Sequence, residues 1–373
     1  MREPARPRSG YPSVQVPSHP PRFPRAPRPG DDRPDLLVLR SRGIGDFLTA
    51  VPALRALERA HPGHRIHLAA PRGHAELLAL AGLDWPLLPL AALAAPPWPR
   101  RVPPDLAVNL HDGDPQSIRA LRALRPALLW TYAHRDAPAS PGPHPIPGIH
   151  ETEIWCRLLR HYGVPAEGTD LRMVPPPFRG PRPGAAVLHP GAGSRAPRWP
   201  ERRFAEIARI LTGRGHRVVI TGSAAERGPA ERVGRAAGID PADVLAGRTT
   251  LPEAAALIAG AAIVVCGDSA MAHLATAYST PSVRILGGVS PARFGPRIDD
   301  ALHACLWSGG PDDPDARTPG AALLRISTAQ VIGALDDLPI RDAAPITRIR
   351  PDPRPAPASV PAAPAAFRRR PIR

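Results

Sequence analysis

The chain has 373 residues, a net charge of +15, 54 prolines and no lysine, so all 48 basic residues are arginine. At roughly 100–200 residues per domain the length suits two domains. Arg, Pro, Gly and Ala are the residues of GC-rich codons, so the basic balance is weak evidence for nucleic acid, and no specific nucleic-acid partner is expected. Three cysteines, Cys156, Cys266 and Cys305, show no CxxC spacing; this argues against a disulfide framework and a zinc site and fits a reducing cytoplasm.

Residues 1–34 carry seven arginines against three carboxylates, net +4, and residues 341–373 carry eight against two, net +6. The ends thus hold +10 of the +15. Both are Pro-rich and poor in large apolar residues, so they bury too little surface to offset the entropy of ordering, and they are expected to be disordered tails. A solvated tail is the first expectation. Loose peripheral contact with an anionic membrane surface is the second. The N-terminal segment has no apolar core of the signal-peptide kind, and no run reaches the ~18 apolar residues of a membrane span.

The ordered part begins at residue 35. Residues 36–40 (LLVLR) read as a buried strand that ends in 41–46 (SRGIGD) and a helix to about residue 60. Strands follow at 65–70, 105–110 and 127–132, with helices at 73–81 and 151–162. Residues 164–183 are dense in Pro and Gly and read as a linker. The alternation then restarts. Strands are expected at 185–189, 216–222, 262–266 and 282–286, and helices at 201–214, 226–237, 251–260, 270–278 and 328–338. Strands alternating with helices imply parallel sheets. The expected organisation is an α/β front domain over 35–163, the linker 164–183 and an α/β rear domain over 184–340, with a ligand cleft between them.

Four strand-end motifs carry the chemistry. The first, Gly43-Ile44-Gly45-Asp46, allows close approach of a ligand to a helix start. It lacks the third glycine and the acidic second-strand end of a nicotinamide site. Asp46 is either a helix cap or a cleft carboxylate. The second runs from His189 to Pro200 (HPGAGSRAPRWP) and sets small residues beside Arg195 and Arg198, a pattern that suits phosphate as well as an ordinary turn. The third, Cys266-Gly267-Asp268-Ser269-Ala270-Met271-Ala272-His273, brings Asp268 and Ser269 to a helix N-terminus, where free N–H groups favour anions, and sets His273 one turn on. The fourth is Gly287-Gly288 with the following VSPARFG, a second glycine loop or a plain turn.

In this order and spacing the motifs resemble glycosyltransferase family 9, the ADP-heptose:lipopolysaccharide heptosyltransferase-like family, over roughly residues 35–338. The strongest stretches are LHPGAGSRAPRWPERRFAEIARIL, VVITGSAAER and LAGRTTLPEAAALIAGAAIVVCGDSAMAHLATA. The resemblance implies a GT-B fold, two Rossmann-like parallel-sheet domains facing a cleft. It implies inverting, metal-independent transfer of a sugar, heptose-like or other, from a nucleoside-diphosphate sugar to a cell-envelope glycolipid or glycan, by a cytoplasmic protein at the inner face of the membrane. Asp46 matches the family's catalytic aspartate. Ala192, Gly193, Ser194, Asp268, Ser269, Ala270 and His273 match its donor-binding positions, and Glu226 matches an acidic residue near the nucleoside. Two positions depart from the family pattern. Pro197 stands where the family has a lysine, with Arg195 or Arg198 as replacement charges, and Ala270 stands where it has a glycine. These departures keep open a non-catalytic nucleotide-sugar binder; a nucleotide-sugar 2-epimerase-like enzyme is the third reading.

Overall fold

The computed structural model describes residues 33–111, 114–137, 142–192, 198–287, 289–309 and 321–341. The front lobe is built from β1 (Asp35–Leu39), α1 (Ile44–Ala60), β2 (Arg65–Ala70), α2 (His74–Leu80), β3 (Leu87–Pro89), β4 (Leu106–Asn109), α3 (Pro115–Arg122), β5 (Leu128–Trp130) and α4 (Glu151–His161). Its five strands are parallel, in the order β3-β2-β1-β4-β5. Every residue of β1 is buried, as a central strand covered on both faces must be.

The rear lobe contains β6 (Ala186–His189), α5 (Glu201–Gly213), β7 (Val218–Ile220), α6 (Arg227–Ala237), α7 (Leu251–Ala259), β8 (Ile263–Gly267), α8 (Ala270–Ala277), β9 (Ser282–Leu286), α9 (Pro291–Phe294), β10 (His303–Trp307), α10 (Ala321–Arg325) and α11 (Thr328–Asp337). The strand order is β10-β9-β8-β6-β7, again all parallel. A single parallel bridge from Ile220 to Val244 marks where a further strand would lie beyond β7.

In each sheet the chain reverses its winding beside the first strand, between β1 and β4 and between β6 and β8. At such a switch point the loops diverge and leave a crevice at the strand C-termini. The loops after β1, β6 and β8 are three of the four glycine-bearing motifs, so topology alone aims both halves of the site at the interlobe gap.

Several elements were not expected from the sequence. The edge strand β3 ends in Pro89 and is three residues long, too short and too proline-marked to show a period. The strand β10 is only partly buried, no helix is expected from the sequence at α3 or α10, and α9 lies in the motif expected to be a loop or plain turn. At the boundaries, Pro34 accepts the Arg65 N–H at 2.9 Å, and the Arg341 N–H donates to Ala262 at 3.2 Å. These two residues, assigned to the tails, are tied to the lobes. The remaining tail residues, apart from Arg33, lie outside the described residues. Among the described residues no helix is long and apolar enough to cross a membrane.

Candidate active site between the lobes

Arg40 is the foundation of the front half. It directly follows β1 with its guanidinium buried, where a cation is stable only if its donors are matched. It donates through Nε to the Asp46 carbonyl at 3.0 Å and through Nη1 to the Leu110 carbonyl at 2.6 Å, and it lies 4.5 Å from the Trp155 ring centroid. The first turn of α1 is thereby bolted to the ends of β1 and β4. Asp46 sits on that turn. Its Oδ2 accepts the Gly43 N–H at 3.2 Å, its Oδ1 lies 3.7 Å from Arg40 Nη2, and its side chain keeps 40% of its exposure. The carboxylate is both held and open to the cleft.

The rear half is the start of α8. Asp268 follows β8, and Ser269 is the N-cap residue, in extended conformation and making no side-chain capping bond. Ser269 therefore leaves the first amides of the helix uncapped by its own side chain, the arrangement that receives an anion. Burial, opposed by Arg284 and reinforced by the charges of Asp46 and Glu151, pushes Asp268 up to about 6. Burial, with Arg284 and His150, holds His273 down to about 3, so its imidazole is neutral.

The two halves meet. A Cβ added to Gly45 would lie 3.6 Å from His273 Cδ2 and 3.9 Å from both the N and Cα of Ala270. The backbone at Ala270, where the family resemblance expects glycine, thus lies close to a glycine of the other lobe. Gly43 N-caps α1 and has room for a Cβ.

On the rear lobe, against the loop after β6, Glu226 is buried. Its Oε2 accepts from the N–H and the hydroxyl of Ser223, both at 2.8 Å, and its Oε1 lies 3.9 Å from Arg198. Burial works against ionisation, but the two Ser223 bonds, His189 and Arg198 hold its pKa below the usual value. A Cβ on Gly191 would overlap the Glu226 carboxylate, so the loop after β6 needs glycine there to pass. Ala192 is buried beside it. Gly287 packs against Leu323 of α10, its Cβ position 3.1 Å from the leucine, and close packing explains it without a ligand. Gly193, Ser194, Arg195, Pro197 and Gly288 lie outside the described residues.

The sequence reading missed Arg40, His150, Glu151, Arg284 and Arg293. A charged residue inside an apolar strand run, as in LLVLR and SVRIL, is a readable signal for Arg40 and Arg284. For His150, Glu151 and Arg293 there is none, because only the tertiary fold joins them.

Two Rossmann-like lobes with a carboxylate facing a helix start across the gap define a GT-B protein. Residues 174–315 match the model of glycosyltransferase family 9 (heptosyltransferase). Lipopolysaccharide heptosyltransferase 1 of Pseudomonas aeruginosa is 29% identical over 305 residues, 72% of this chain and 82% of that protein. Lipooligosaccharide heptosyltransferase 2 of Haemophilus influenzae is 35% identical over 117 residues, 31% of this chain and 34% of that one. Among solved structures, ADP-heptose lps heptosyltransferase II of E. coli superposes with a TM-score of 0.64 at 19% identity, covering 81% of this chain and 97% of its own. The chain resembles glycosyltransferase family 9, with the family model matching the rear lobe, and it is a glycosyltransferase with the GT-B fold.

Proposed function

We propose that this enzyme moves a heptose or related sugar from a nucleoside-diphosphate donor to a hydroxyl of a lipopolysaccharide-type glycolipid, with inversion and without a metal. The relatives' activity supports the donor and acceptor classes. The single observation that carries the mechanism is the approach of the Asp46 turn to the start of α8.

In this reading the diphosphate lies at the amides of Ala270 and Met271 and the hydroxyl of Ser269, with the nucleoside toward Glu226. The acceptor hydroxyl enters from the front lobe. Asp46 takes its proton as the oxygen attacks the anomeric carbon from the face opposite the diphosphate. The C–O bond to the diphosphate breaks, and the helix start stabilises the departing charge. Neutral His273 neither repels nor competes with Asp46. Among the described residues no group of three or more His, Cys, Asp or Glu is arranged to hold a metal ion. The acceptor's lipid would place the enzyme at the inner face of the cell membrane.

Asp46→Asn tests the assignment. The amide can still accept the Gly43 N–H, so the fold and donor affinity persist while transfer falls by about 10²–10⁴-fold. Full transfer by this variant, measured with ADP-heptose and a truncated lipopolysaccharide acceptor, would remove Asp46 from the role.

A further inference from the structure

The two lobes are joined at the cleft mouth by a pair of contacts side by side. On the front lobe, His150 is the N-cap of α4 and Glu151 its first residue. On the rear lobe, α9 ends at Phe294 and Gly295. His150 Nδ1 accepts the Thr152 N–H at 3.2 Å, which leaves Nε2 as the protonated nitrogen, and that nitrogen donates to the Gly295 carbonyl at 3.0 Å. Beside it, Arg293 donates to Glu151 Oε1 at 3.2 Å, with both side chains largely shielded from water.

These contacts reach the reacting groups from both sides. Glu151 feels the charges of Arg40 and Asp46 as well as that of Arg293, and Asp268 feels that of Glu151. Behind α9, Arg284 is fully buried in β9. It donates to the Phe294 carbonyl at 3.4 Å, to the Ala272 carbonyl of α8 at 2.7 Å and to the Thr276 hydroxyl. Contacts therefore run from the donor helix through Arg284 to residues 293–295 and across the gap to His150 and Glu151, and the Glu151 charge interacts with the Arg40–Asp46 pair beyond.

We infer that Glu151 and Arg293 are positioning residues, an interlobe clasp that fixes the distance between the Asp46 carboxylate and the start of α8. The inference rests on the reading of Asp46 and α8 as the two halves of the reacting site. A clasp of this kind acts on the geometry of transfer and leaves the nucleotide pocket intact. Its loss lowers kcat and spares donor KM, because a misplaced base costs rate more than binding. Other contacts hold the lobes together: α1 packs on α8, and an apolar cluster runs behind the cleft. The clasp therefore sets the aperture of the mouth without being needed for folding.

The experiment is a double-mutant cycle on the full chain with Glu151→Gln, Arg293→Ala and the pair, read by steady-state kinetics and by amide hydrogen exchange of residues 290–295. Each single variant is expected to lose about tenfold or more in kcat with donor KM within about threefold. Each is also expected to exchange faster through the α9 segment, and the double variant to be no worse than either single. Arg293→Lys, which keeps the charge, should recover most of both signals. Additive losses, or singles with unaltered kcat and unaltered exchange, would overturn the clasp. The exchange readout needs no turnover, so it decides the clasp even if Asp46→Asn shows that the reaction runs elsewhere.

Discussion

At residue 46 one carboxylate holds the N-terminus of α1 through Gly43 and faces the other lobe. Oδ2 is anchored by a main-chain N–H, Oδ1 lies 3.7 Å from the buried Arg40 guanidinium, and the backbone is fixed by the same arginine, so the carboxylate is positioned and its charge partly balanced while it stays open to the cleft. Glu226 is used differently. Its carboxylate is spent on Ser223 and on the passage of the loop at Gly191. Gly191→Ala must therefore push the Glu226 side chain aside and break both Ser223 bonds. The expected cost is about 1–3 kcal/mol, since a buried acceptor loses its partners, seen as a lower urea midpoint. Nucleoside diphosphate affinity should fall in the same variant. If affinity stays at the wild-type level while stability drops, Glu226 is a loop brace and does not read the nucleoside.

At the scale of elements, α8 carries a cost that the site explains. An aspartate whose folded-state pKa is near 6, against 3.8 for the ordinary group, binds more protons folded than unfolded between those values. Its stabilising contribution is complete below about pH 4 and is lost as pH rises through about 6. Asp268→Asn removes that loss. Its melting temperature at pH 7.5 should exceed wild type by about 2–4 °C, with a shallower fall between pH 4 and 6, while nucleotide affinity drops. A variant that melts lower at pH 7.5 would mean that Asp268 is not strained by its neighbours. The same element shows what the sequence could tell. The strand, Asp-Ser cap and apolar helix of residues 262–278 were legible because burial on both faces and a helix start leave local marks. The strong periods of β1–α1 and β6–α5 were legible for the same reason. The strands β3 and β10 were not, being short, proline-marked or half-exposed. Glu151 and Arg293, 142 positions apart, leave no local trace of their meeting, and neither does the tie of Arg341 to the rear lobe.

Across the whole molecule, the lobes are less independent than two Rossmann-like sheets would suggest. One apolar cluster includes Leu36, Val51 and Leu54 of the front lobe together with Val187, Ile258 and Leu274 of the rear. Helices α1 and α2 pack against α8 and α7 respectively. The connecting chain is stitched to both sides. Asp170 takes Arg55 at 2.9 Å and Arg59 at 2.7 Å, Val174 donates to the Leu80 carbonyl at 2.9 Å, and Met173 donates to the Ala277 carbonyl at 3.2 Å. Relative motion is the default for domains with small polar interfaces, and a continuous apolar contact behind the cleft restricts it to the opening of the mouth. Heating should therefore unfold residues 33–341 in one cooperative step, with calorimetric and van't Hoff enthalpies agreeing. Saturating nucleoside diphosphate, which the proposed site places mainly on the rear lobe, should raise that single transition by mass action. Two resolved transitions, with ligand shifting only one, would show that the shared core does not couple the lobes and that the cleft contacts alone set their spacing.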